Sequence, residues 1–364
     1  MWANSAGSRV SALGFLQRRW PREARASTNR EKAETLNDWV ERMGLRWPIF
    51  QAPTGSIAGP ELAAAVSEAG GMGAMALTWT GADAAVEQVR AVRARTDRLF
   101  QVNFALVLPP VALDAILEAG VPVVTFSWGD AAPYIDRVHR AGARAGVQAV
   151  SAEGARRARE AGADFLICQG IEAGGHVQST TPIWDALAAV LHAADGLPVL
   201  VAGGITDGAG VAEAVRRGAA GAMLGTRFVA TVESRAHPAY KDALVTAGSG
   251  ADTALTVCFD GDWPYAPHRV LRNATFTEWE AAGSPPVGRR PGEGEVIAAT
   301  ASGESITRYS DAAPRVGVTG SVGDMCLYAG TGCGAISDLP TAAALTRRIG
   351  AEYDAARAEE QGPR

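Results

Sequence analysis

Eight short apolar runs, separated by Ala-rich stretches with helical spacing, constrain the fold of this chain most strongly. The runs are rich in Val, Ile, Leu and Phe and lack polar alternation, which is typical of parallel strands buried on both faces. Several of the Ala-rich stretches end at Gly, a common residue just past a helix C-terminus. The predicted helices include residues 59–70, 131–142, 151–162 and 207–218, and the predicted strands are 48–53, 71–77, 100–106, 121–126, 144–150, 164–170, 198–203 and 221–228.

The repeat length favours a closed barrel over an open sheet. Each strand with its helix takes roughly 20 to 33 residues, the size of one unit of a (β/α)8 TIM barrel. An open doubly wound sheet would carry a glycine fingerprint after its first strand. Here the first run ends in QAPTGS, and the Gly-rich turns follow the sixth, seventh and eighth runs. The sequence therefore predicts an α/β fold, with a TIM barrel over residues 45–229.

The remaining residues divide into three predicted segments. Residues 1–44 form an Arg-rich leader, with a helix expected from about Arg30 to Met43. Residues 230–316 mix helical text with a Trp/Pro-rich turn and a Pro/Gly/Arg linker, which predicts a smaller, mostly helical cap domain inserted after the eighth strand. Residues 317–364 form a C-terminal segment whose helix is expected to pack back on the barrel.

Charge and lysine content exclude several classes of function. The chain has 34 Lys and Arg residues against 39 Asp and Glu, a net charge of −5, and no long basic run, which argues against a nucleic-acid partner. Lys32 and Lys241 are the only lysines. A Walker-type phosphate loop is therefore excluded, and a Schiff-base mechanism is disfavoured. Since the predicted barrel has no lysine, backbone dipoles, amides or arginine must manage any negative charge there.

Cysteine spacing and hydropathy indicate whether the chain holds a metal site, forms disulfides, or is secreted or inserted in a membrane. No C-x-x-C pair and no nearby His at zinc spacing occur, so neither a metal site nor a disulfide scaffold is predicted. The sequence shows no secretory signal and no apolar stretch long enough to span a bilayer. We therefore expect a cytoplasmic protein without a membrane partner. The cysteines are Cys168, Cys258, Cys326 and Cys333.

Two Gly-containing turns on neighbouring strands predict a phosphate site. The active site of a TIM barrel lies at the carboxyl ends of its strands, and phosphate is frequently held by the loops after strands seven and eight. The seventh run ends with Gly203 and Gly204, and the eighth contains Gly225 and Thr226. Glycine lets the backbone approach an anion closely, and free N–H groups at a helix start favour negative charge. The alternative, that these glycines only make tight turns, stays open.

The loop after the sixth run contains the strongest candidate for acid–base chemistry. Three glycines, Gly170, Gly174 and Gly175, precede His176 immediately beyond a buried strand. This backbone can lie against a flat ligand, and imidazole is well suited to remove or return a proton near neutral pH. The remaining histidines fall in helical text or in the predicted cap, where a structural role is expected: His139, His192, His237 and His268.

Neutral amides near strand ends suggest a heteroaromatic ligand. Asn103, Gln148 and Gln169 lie in otherwise apolar runs. A buried amide needs partners, which are either backbone groups or the polar edge of a ligand, and the residues alone leave both open. The turn containing Ala52 and Thr54 would cover a ring face. Gly-rich turns for a phosphate, combined with amides for a ring edge, fit flavin mononucleotide (FMN) better than a phosphosugar.

Taken in order, these segments resemble the nitronate monooxygenase family, formerly called 2-nitropropane dioxygenases. The resemblance covers about residues 48–349 and is carried by PIFQAP, PELAAAVSEAGGMG, VNF, GADFLICQGIEAGGH, AGGI, GTRF, YAG and GAISD, of which EAGGH is the most specific. It implies FMN in a TIM barrel with an inserted helical domain, and His176 as the catalytic base. It implies flavin contacts at Asn103, Gln169 and Gly174, and phosphate contacts at Gly204, Met223, Leu224, Gly225 and Thr226.

The resemblance also implies a reaction. A nitronate, the anion of a nitroalkane, would be oxidised by one-electron transfer to FMN, with molecular oxygen re-oxidising the flavin and a carbonyl compound and nitrite as products. A neutral nitroalkane would first lose its α-proton to His176, whereas a preformed nitronate needs no base. The implied partners are a small-molecule substrate and oxygen, and a homodimer stays open.

The chain departs from the family pattern at two positions, and three alternative functions stay open. Thr54 stands where the family commonly has Met, and Gln178 stands where Gly is usual, so an altered substrate pocket is expected. The nearest alternative is an FMN-dependent enoyl-acyl-carrier-protein reductase, which has a related GGH loop and takes hydride from NAD(P)H. The others are a non-catalytic FMN-binding protein and a flavin-free phosphosugar barrel.

Overall fold

A ring of eight parallel strands forms the centre of the molecule. The computed structural model describes residues 38–261 and 263–361. Within this part of the chain, neighbouring strands follow the order β1, β9, β8, β6, β5, β4, β3, β2. A parallel bridge between Phe50 and Met72 closes the ring, and Gln51 N–H donates to the Met72 carbonyl at 2.8 Å. The predicted TIM barrel is confirmed. Its strands are β1 (Ile49–Gln51), β2 (Gly73–Ala76), β3 (Phe100–Ala105), β4 (Val123–Ser127), β5 (Arg144–Gln148), β6 (Phe165–Gln169), β8 (Val199–Ala202) and β9 (Gly221–Leu224).

Helices surround the ring and bury its outer face. Each of the four predicted helical stretches contains an observed helix, and Ser151 and Asp207 cap two of them by accepting from Gly154 N–H at 3.1 Å and Gly210 N–H at 2.8 Å. Alanine and branched aliphatic side chains form the layer between strands and helices. The helices are α1 (Pro60–Glu68), α2 (Ala82–Arg93), α3 (Leu113–Glu118), α4 (Ala132–Arg140), α5 (Ala152–Glu160), α6 (Ile183–Ala194), α7 (Gly208–Arg216) and α8 (Thr226–Val229).

The end of the predicted leader closes one end of the barrel. Residues 38–42 are helical, and the Trp39 ring lies 6.0 Å from Phe50 and 5.8 Å from Phe165, centroid to centroid. Trp39 and Met43 share one buried apolar cluster with these barrel side chains. Because Phe165 begins β6, this short helix lies at the amino ends of the strands, opposite the expected active site. The rest of the helix expected from Arg30 lies outside the described residues.

The segment 230–341 differs from the mostly helical cap that the sequence predicted. Helices α9 (Pro238–Thr246) and α10 (Ala274–Ala281) are present, together with the strands β10 (Thr253–Thr256), β11 (His268–Leu271), β12 (Val296–Ala299), β13 (Ser305–Thr307) and β14 (Thr319–Gly320). One antiparallel sheet joins β10 and β11 to β7 (Gly175–His176), and a second joins β12 to β13 and β14. The expectation of a mostly helical domain is therefore wrong. The physical reason is that these strands are only two to four residues long, which is too short to show a clear alternation of apolar and polar residues.

The C-terminal helix α11 (Ala342–Gln361) packs on the barrel. Leu345 and Ile349 belong to the main core, and Glu352 accepts a hydrogen bond from Gly208 N–H at 2.8 Å, at the start of α7. The sheet containing β14 extends beyond residue 316, the predicted end of the cap, so the exact division into domains stays a prediction. No helix in residues 38–261 and 263–361 is both long and apolar enough to cross a bilayer.

The last barrel strand, β9, ends four residues before its predicted end. β9 ends at Leu224, and the chain enters the single helical turn α8 at Thr226 instead of remaining extended to Phe228. Gly225 marks the break, since its carbonyl accepts from the N–H of Phe228 at 2.9 Å. Thr226 therefore begins a helical turn at the mouth of the barrel.

Candidate active site at the barrel mouth

His176 is held at the barrel mouth by a strand from the distant segment. The chain leaves β6 at Gln169 and forms the two-residue strand β7, which pairs antiparallel with β11 in the register His176 to His268 and Gly175 to Arg269. Val177 N–H donates to the Pro267 carbonyl at 2.8 Å and extends this pairing. Because β6 belongs to the barrel and β11 does not, the position of His176 depends on both parts of the molecule.

The imidazole of His176 is neutral and has an unused nitrogen. Its Nε2 atom is buried without a hydrogen-bond partner among the described residues, although the residue as a whole is half-buried. Burial, with a smaller contribution from neighbouring His268, lowers the pKa of His176 to about 3. The unfolded chain binds this proton near pH 6.5, so the contribution of the neutral ring to stability is complete above that pH and is lost as the pH falls toward 3.

Aromatic rings surround His176. The Trp263 indole stacks on the imidazole at 4.2 Å between centroids with an interplanar angle of 29°, and the Trp128 ring meets it edge-on at 6.0 Å. Tyr328 lies 5.6 Å away and His268 5.5 Å away. This apolar surrounding is the physical reason for the depressed pKa, because a charged imidazolium would lose most of its hydration here.

His268 differs from His176 because both of its ring nitrogens are engaged. Its Nδ1 donates to the Ala266 carbonyl at 2.9 Å, and its Nε2 accepts from Phe259 N–H at 3.2 Å. These bonds fix one neutral tautomer, and burial lowers its pKa as well. The ring is fully buried, as a structural histidine would be.

The predicted amides lie near the mouth but are partly engaged by the protein. Gln169 donates from Nε2 to the His176 carbonyl at 3.1 Å and accepts from Gln178 N–H at 2.9 Å, so it fastens the segment around His176 to the end of β6. Gln148 donates to the Gln178 side chain at 2.6 Å and lies 3.4 Å from the Gln169 oxygen. Asn103 lies separately, on β3, and donates to Thr125. The structure thus brings together Gln148, Gln169 and Gln178, and flavin contacts of these amides stay a prediction.

The predicted phosphate loops meet at adjacent strand ends. β8 pairs with β9, so Gly203 and Gly204 lie beside Gly225. Gly203 and Gly204 have φ values of +137° and +70°, conformations that strongly favour glycine. Within the part of the chain that the structure describes, the N–H groups of these three glycines donate to no acceptor. The Thr226 hydroxyl accepts from Gly330 N–H at 2.9 Å, which leaves its own hydrogen free to donate.

The turn after β1 lies beside these loops. Ala52 N–H donates to the Leu224 carbonyl at 2.9 Å, while Met223 and Leu224 are buried in β9. A Cβ built on Gly225 would lie 3.6 Å from the Ala52 side chain and 3.7 Å from that of Thr54. The Thr54 hydroxyl is buried without a partner among the described residues. An orphaned hydroxyl beside unused N–H groups fits a polar, anionic ligand, as the phosphate end of a flavin nucleotide would be.

Close backbone contact with a late segment is a feature that the sequence did not predict in detail. A Cβ on Gly174 would lie 2.4 Å from the Gly330 nitrogen, so no side chain fits there. Thr331 N–H donates to the Glu172 carbonyl at 3.0 Å, and Arg269 donates to the Ile171 carbonyl at 2.8 Å. The available signal for this contact was the late YAG motif, residues 328–330, which lies across EAGGH. By contrast, a Cβ on Gly175 would meet nothing within 4 Å, but its φ is +77°.

Grooves and metal clusters do not define this site. Two surface grooves of about 480 and 440 Å³ are both lined by residues of segment 230–341, and His176 lines neither of them. Among residues 38–261 and 263–361, no cluster of His, Cys, Asp or Glu side chains could hold a metal ion. Lys241 donates to the Val232 carbonyl at 3.2 Å, outside the mouth. The site is defined by chemistry: a free imidazole nitrogen, an amide cluster and a row of unused N–H groups.

Several proteins of known name are similar to this chain in sequence. The sequence model of the nitronate monooxygenase family matches residues 39–115 and 109–352. The Pseudomonas aeruginosa nitronate monooxygenase is 35% identical over 295 residues, covering 67% of this chain and 82% of that protein. A Mycobacterium tuberculosis protein named (3aS,4S,5R,7aS)-5-hydroxy-7a-methyl-1-oxo-octahydro-1H-indene-4-carboxyl-CoA dehydrogenase is 35% identical over 247 residues, covering 66% and 68%.

A solved structure extends the likeness to the fold. The nitroalkane oxidase from Streptomyces ansochromogenes aligns with a TM-score of 0.71 and 30% identity, covering 86% of this chain and 97% of that one. The barrel mouth described above therefore belongs to a flavin-dependent oxidoreductase. The chain is a member of the nitronate monooxygenase family.

Proposed function

We propose that this protein oxidises nitronates and nitroalkanes with molecular oxygen to a carbonyl compound and nitrite, using FMN and His176 as the base. The observation that carries the proposal is the free Nε2 of His176, which is buried and neutral and lies on β7, in the segment that follows β6. The family and the nitroalkane oxidase likeness support the same class of reaction.

The phosphate of FMN would lie against the backbone N–H groups of Gly203, Gly204 and Gly225, with the Thr226 hydroxyl as a further donor. Backbone donors suit this position because the described part of the barrel has no lysine. The orphaned Thr54 hydroxyl would complete the polar surface on the β1 side. These donors make unusually good hydrogen bonds because the acceptor is charged.

The isoalloxazine ring would lie between the turn at Ala52 and the glycine-rich loop at Gly174 and Gly175. Gln148, Gln169 and Asn103 would present their remaining amide hydrogens and oxygens to its edge. The close fit of Gly174 against Gly330 holds this loop in one conformation, which keeps the binding surface flat. When bound, FMN accepts electrons from the organic substrate and passes them to oxygen.

His176 would take the α-proton of a neutral nitroalkane on Nε2. The depressed pKa keeps the ring neutral near neutral pH, so its Nε2 lone pair is available to accept the proton. Burial disfavours the imidazolium that results, but the nitronate formed beside it carries the opposite charge and stabilises it. A preformed nitronate has already lost this proton, and its oxidation does not require the base.

Aerobic and anaerobic assays of the purified yellow protein test this proposal. With ethyl nitronate in air, we expect oxygen consumption and nitrite release, without any need for NADH or NADPH. The mycobacterial relative is named as a dehydrogenase of a CoA thioester, which gives a reason to test the second candidate, an FMN-dependent enoyl-acyl-carrier-protein reductase that takes hydride from NAD(P)H. Rapid bleaching of the flavin by NADPH under nitrogen, without nitrite formation in air, would overturn the proposal in its favour. A yellow protein inert in both assays would instead indicate a non-catalytic flavin-binding protein, and a colourless one a flavin-free barrel.

A further inference from the structure

Three tryptophans form a continuous aromatic surface over His176, and core packing does not account for them. Trp79 follows β2, Trp128 follows β4, and Trp263 comes from segment 230–341. The Trp263 ring lies 4.7 Å from Trp128 and 6.2 Å from Trp79. None of the three belongs to a buried apolar cluster of the described residues, and Trp79 is 62% exposed. We call Trp79, Trp128 and Trp263 the tryptophan wall.

The backbone of Trp128 is strained, which indicates that its side chain is held in place for a purpose. Its φ is +58°, a left-handed value that is a genuine outlier for a bulky residue. Leu106 N–H donates to the Ser127 carbonyl at 2.7 Å, and a Cβ on neighbouring Gly129 would lie 2.5 Å from that of Leu106, so the chain is fixed on both sides of Trp128. Strain of this kind persists only where the surroundings impose it, and it is concentrated at functional sites.

The wall leads from solvent to the reacting position. Trp79 is exposed, Trp128 and Trp263 are half-buried, and Trp263 contacts the imidazole whose Nε2 is unpartnered. A very small nitroalkane would reach His176 without covering these indoles. A substrate with a flat apolar group would cover them and gain both burial and ring stacking.

We infer that the tryptophan wall selects nitronates that carry an aryl or similarly flat apolar group, which binds against Trp128 and Trp263 while the nitronate lies at His176. This inference rests on the proposed function, since the nitronate is taken as the reacting group. The wall sets which substrate is used.

The test compares two nitronates of similar intrinsic reactivity, the anions of 2-phenylnitroethane and nitroethane, with the FMN-loaded protein. We expect kcat/KM for the phenyl compound to exceed that for ethyl nitronate by at least about tenfold. Trp128→Ala and Trp263→Ala should each bring this ratio toward one, because each removes an indole that only the phenyl substrate covers. Trp128→Phe should restore most of the preference, because it returns a ring to the same strained position.

Val111→Ala is the matched control. Val111 is an exposed apolar residue, 71% accessible, in the loop after β3, and it has no ring contact with His176. This variant should keep the ratio of the wild type. Thermal melting of each variant identifies any that fails to fold, and the two wall positions, on different parts of the chain, give independent readings.

The outcomes separate the inference from the proposed function. A wild-type ratio near one, or a ratio unchanged in both alanine variants, overturns the inference while ethyl nitronate turnover still supports the function. If neither nitronate is oxidised, the function fails, and the wall is tested by calorimetric binding of 3-phenylpropanoate against propanoate. Tighter binding of the phenyl acid by about tenfold, lost in Trp128→Ala, upholds the wall, and equal binding overturns it.

Discussion

The two ends of the candidate site differ in the groups that form them, which are backbone N–H groups at one end and side chains at the other. At one end, Gly203, Gly204 and Gly225 present backbone N–H groups from two adjacent barrel strands. At the other end, His176 is surrounded by side chains such as Trp128 and Trp263, and its strand is completed by β11 of a distant segment. The glycine end therefore depends on local backbone geometry. The histidine end depends on long-range pairing and on the exclusion of water.

This difference predicts how each end responds to substitution. The glycine end should be sensitive to an added side chain at Gly203 and Gly204, whose positive φ values favour glycine, but it should be insensitive to pH, since backbone amides do not titrate. The histidine end should tolerate side-chain changes at the cost of altered pH dependence and substrate choice.

Gly174→Ala should have the largest effect, because Gly174 is where the two ends meet the late segment. Its Cβ would lie 2.4 Å from the Gly330 nitrogen, so backbone must move, and we expect a loss of about 3 kcal/mol in the free energy of unfolding together with loss of bound flavin. Gly175→Ala is the control for the stability effect alone, since its Cβ would meet no protein atom within 4 Å, and it should cost only about 1 kcal/mol through its positive φ. Chemical denaturation and flavin content measure both. Equal effects would contradict the close-contact argument.

Gly204→Ala should weaken flavin binding more than stability alone explains. An alanine at this position would have to adopt a φ of +70°, and its Cβ would lie 3.2 Å from the Thr331 hydroxyl. Relief of this strain would shift the N–H group away from the phosphate, so FMN affinity should fall at least about tenfold. Gly218→Ala is matched in conformation, with a φ of +96°, but lies before β9 at the opposite end of the barrel. It should lose similar stability and keep its affinity for FMN. Equal affinities in the two variants would remove Gly204 from the phosphate site.

Trp263→Ala should introduce a pH dependence. In the wild type the pKa of His176 is about 3, so kcat/KM for nitroethane should show no inflection from His176 between pH 5 and pH 7.5. Removing the stacked indole admits water and raises this pKa toward 6.5, so protonation should reduce the activity at pH 5 about tenfold relative to pH 7.5.

Trp184→Phe is the control for this pH effect. Its indole lies under the Arg217 guanidinium, at 4.7 Å, and not at His176, so the profile should stay flat. An inflection near pH 6.5 in the wild-type profile would contradict the account of the buried imidazole.

The smallest effect concerns the strain at Trp128. Both Trp128→Ala and Trp128→Gly remove the ring, but glycine alone relieves the left-handed φ of +58°. The glycine variant should therefore unfold with a free energy about 1 kcal/mol higher than the alanine variant. Denaturant melts of the pair measure this difference. A glycine variant that is no more stable would show that the backbone at Trp128 carries no strain.

The sequence was sufficient for the barrel and for the location of the glycine loops. All eight barrel strands lie within or across the predicted runs, because buried parallel strands are continuous apolar segments that periodicity detects. Gly203, Gly204 and Gly225 were also predictable as neighbours, since carboxyl ends of barrel strands share one mouth. Their predicted role at a phosphate remains to be tested.

The surroundings of His176 were not predictable from the sequence. The pairing of β7 with β11, the fit of Gly174 against Gly330 and the stacking of Trp263 all join residues that are far apart along the chain. Gln178 appeared only as a departure from a family pattern, and its bond with Gln148 depends on how two strand ends converge. The mixed content of segment 230–341 was missed because its strands are only two to four residues long, too short to show a clear alternation of apolar and polar residues.

The role of His176 as the base is tested by His176→Asn, assayed with nitroethane and with preformed ethyl nitronate. If the free Nε2 is the base, kcat/KM for nitroethane should fall by about 10²- to 10⁴-fold, whereas kcat/KM for ethyl nitronate should change by less than about tenfold. Unchanged oxidation of nitroethane, or an equal loss with both substrates, would contradict the assignment of His176 as the base.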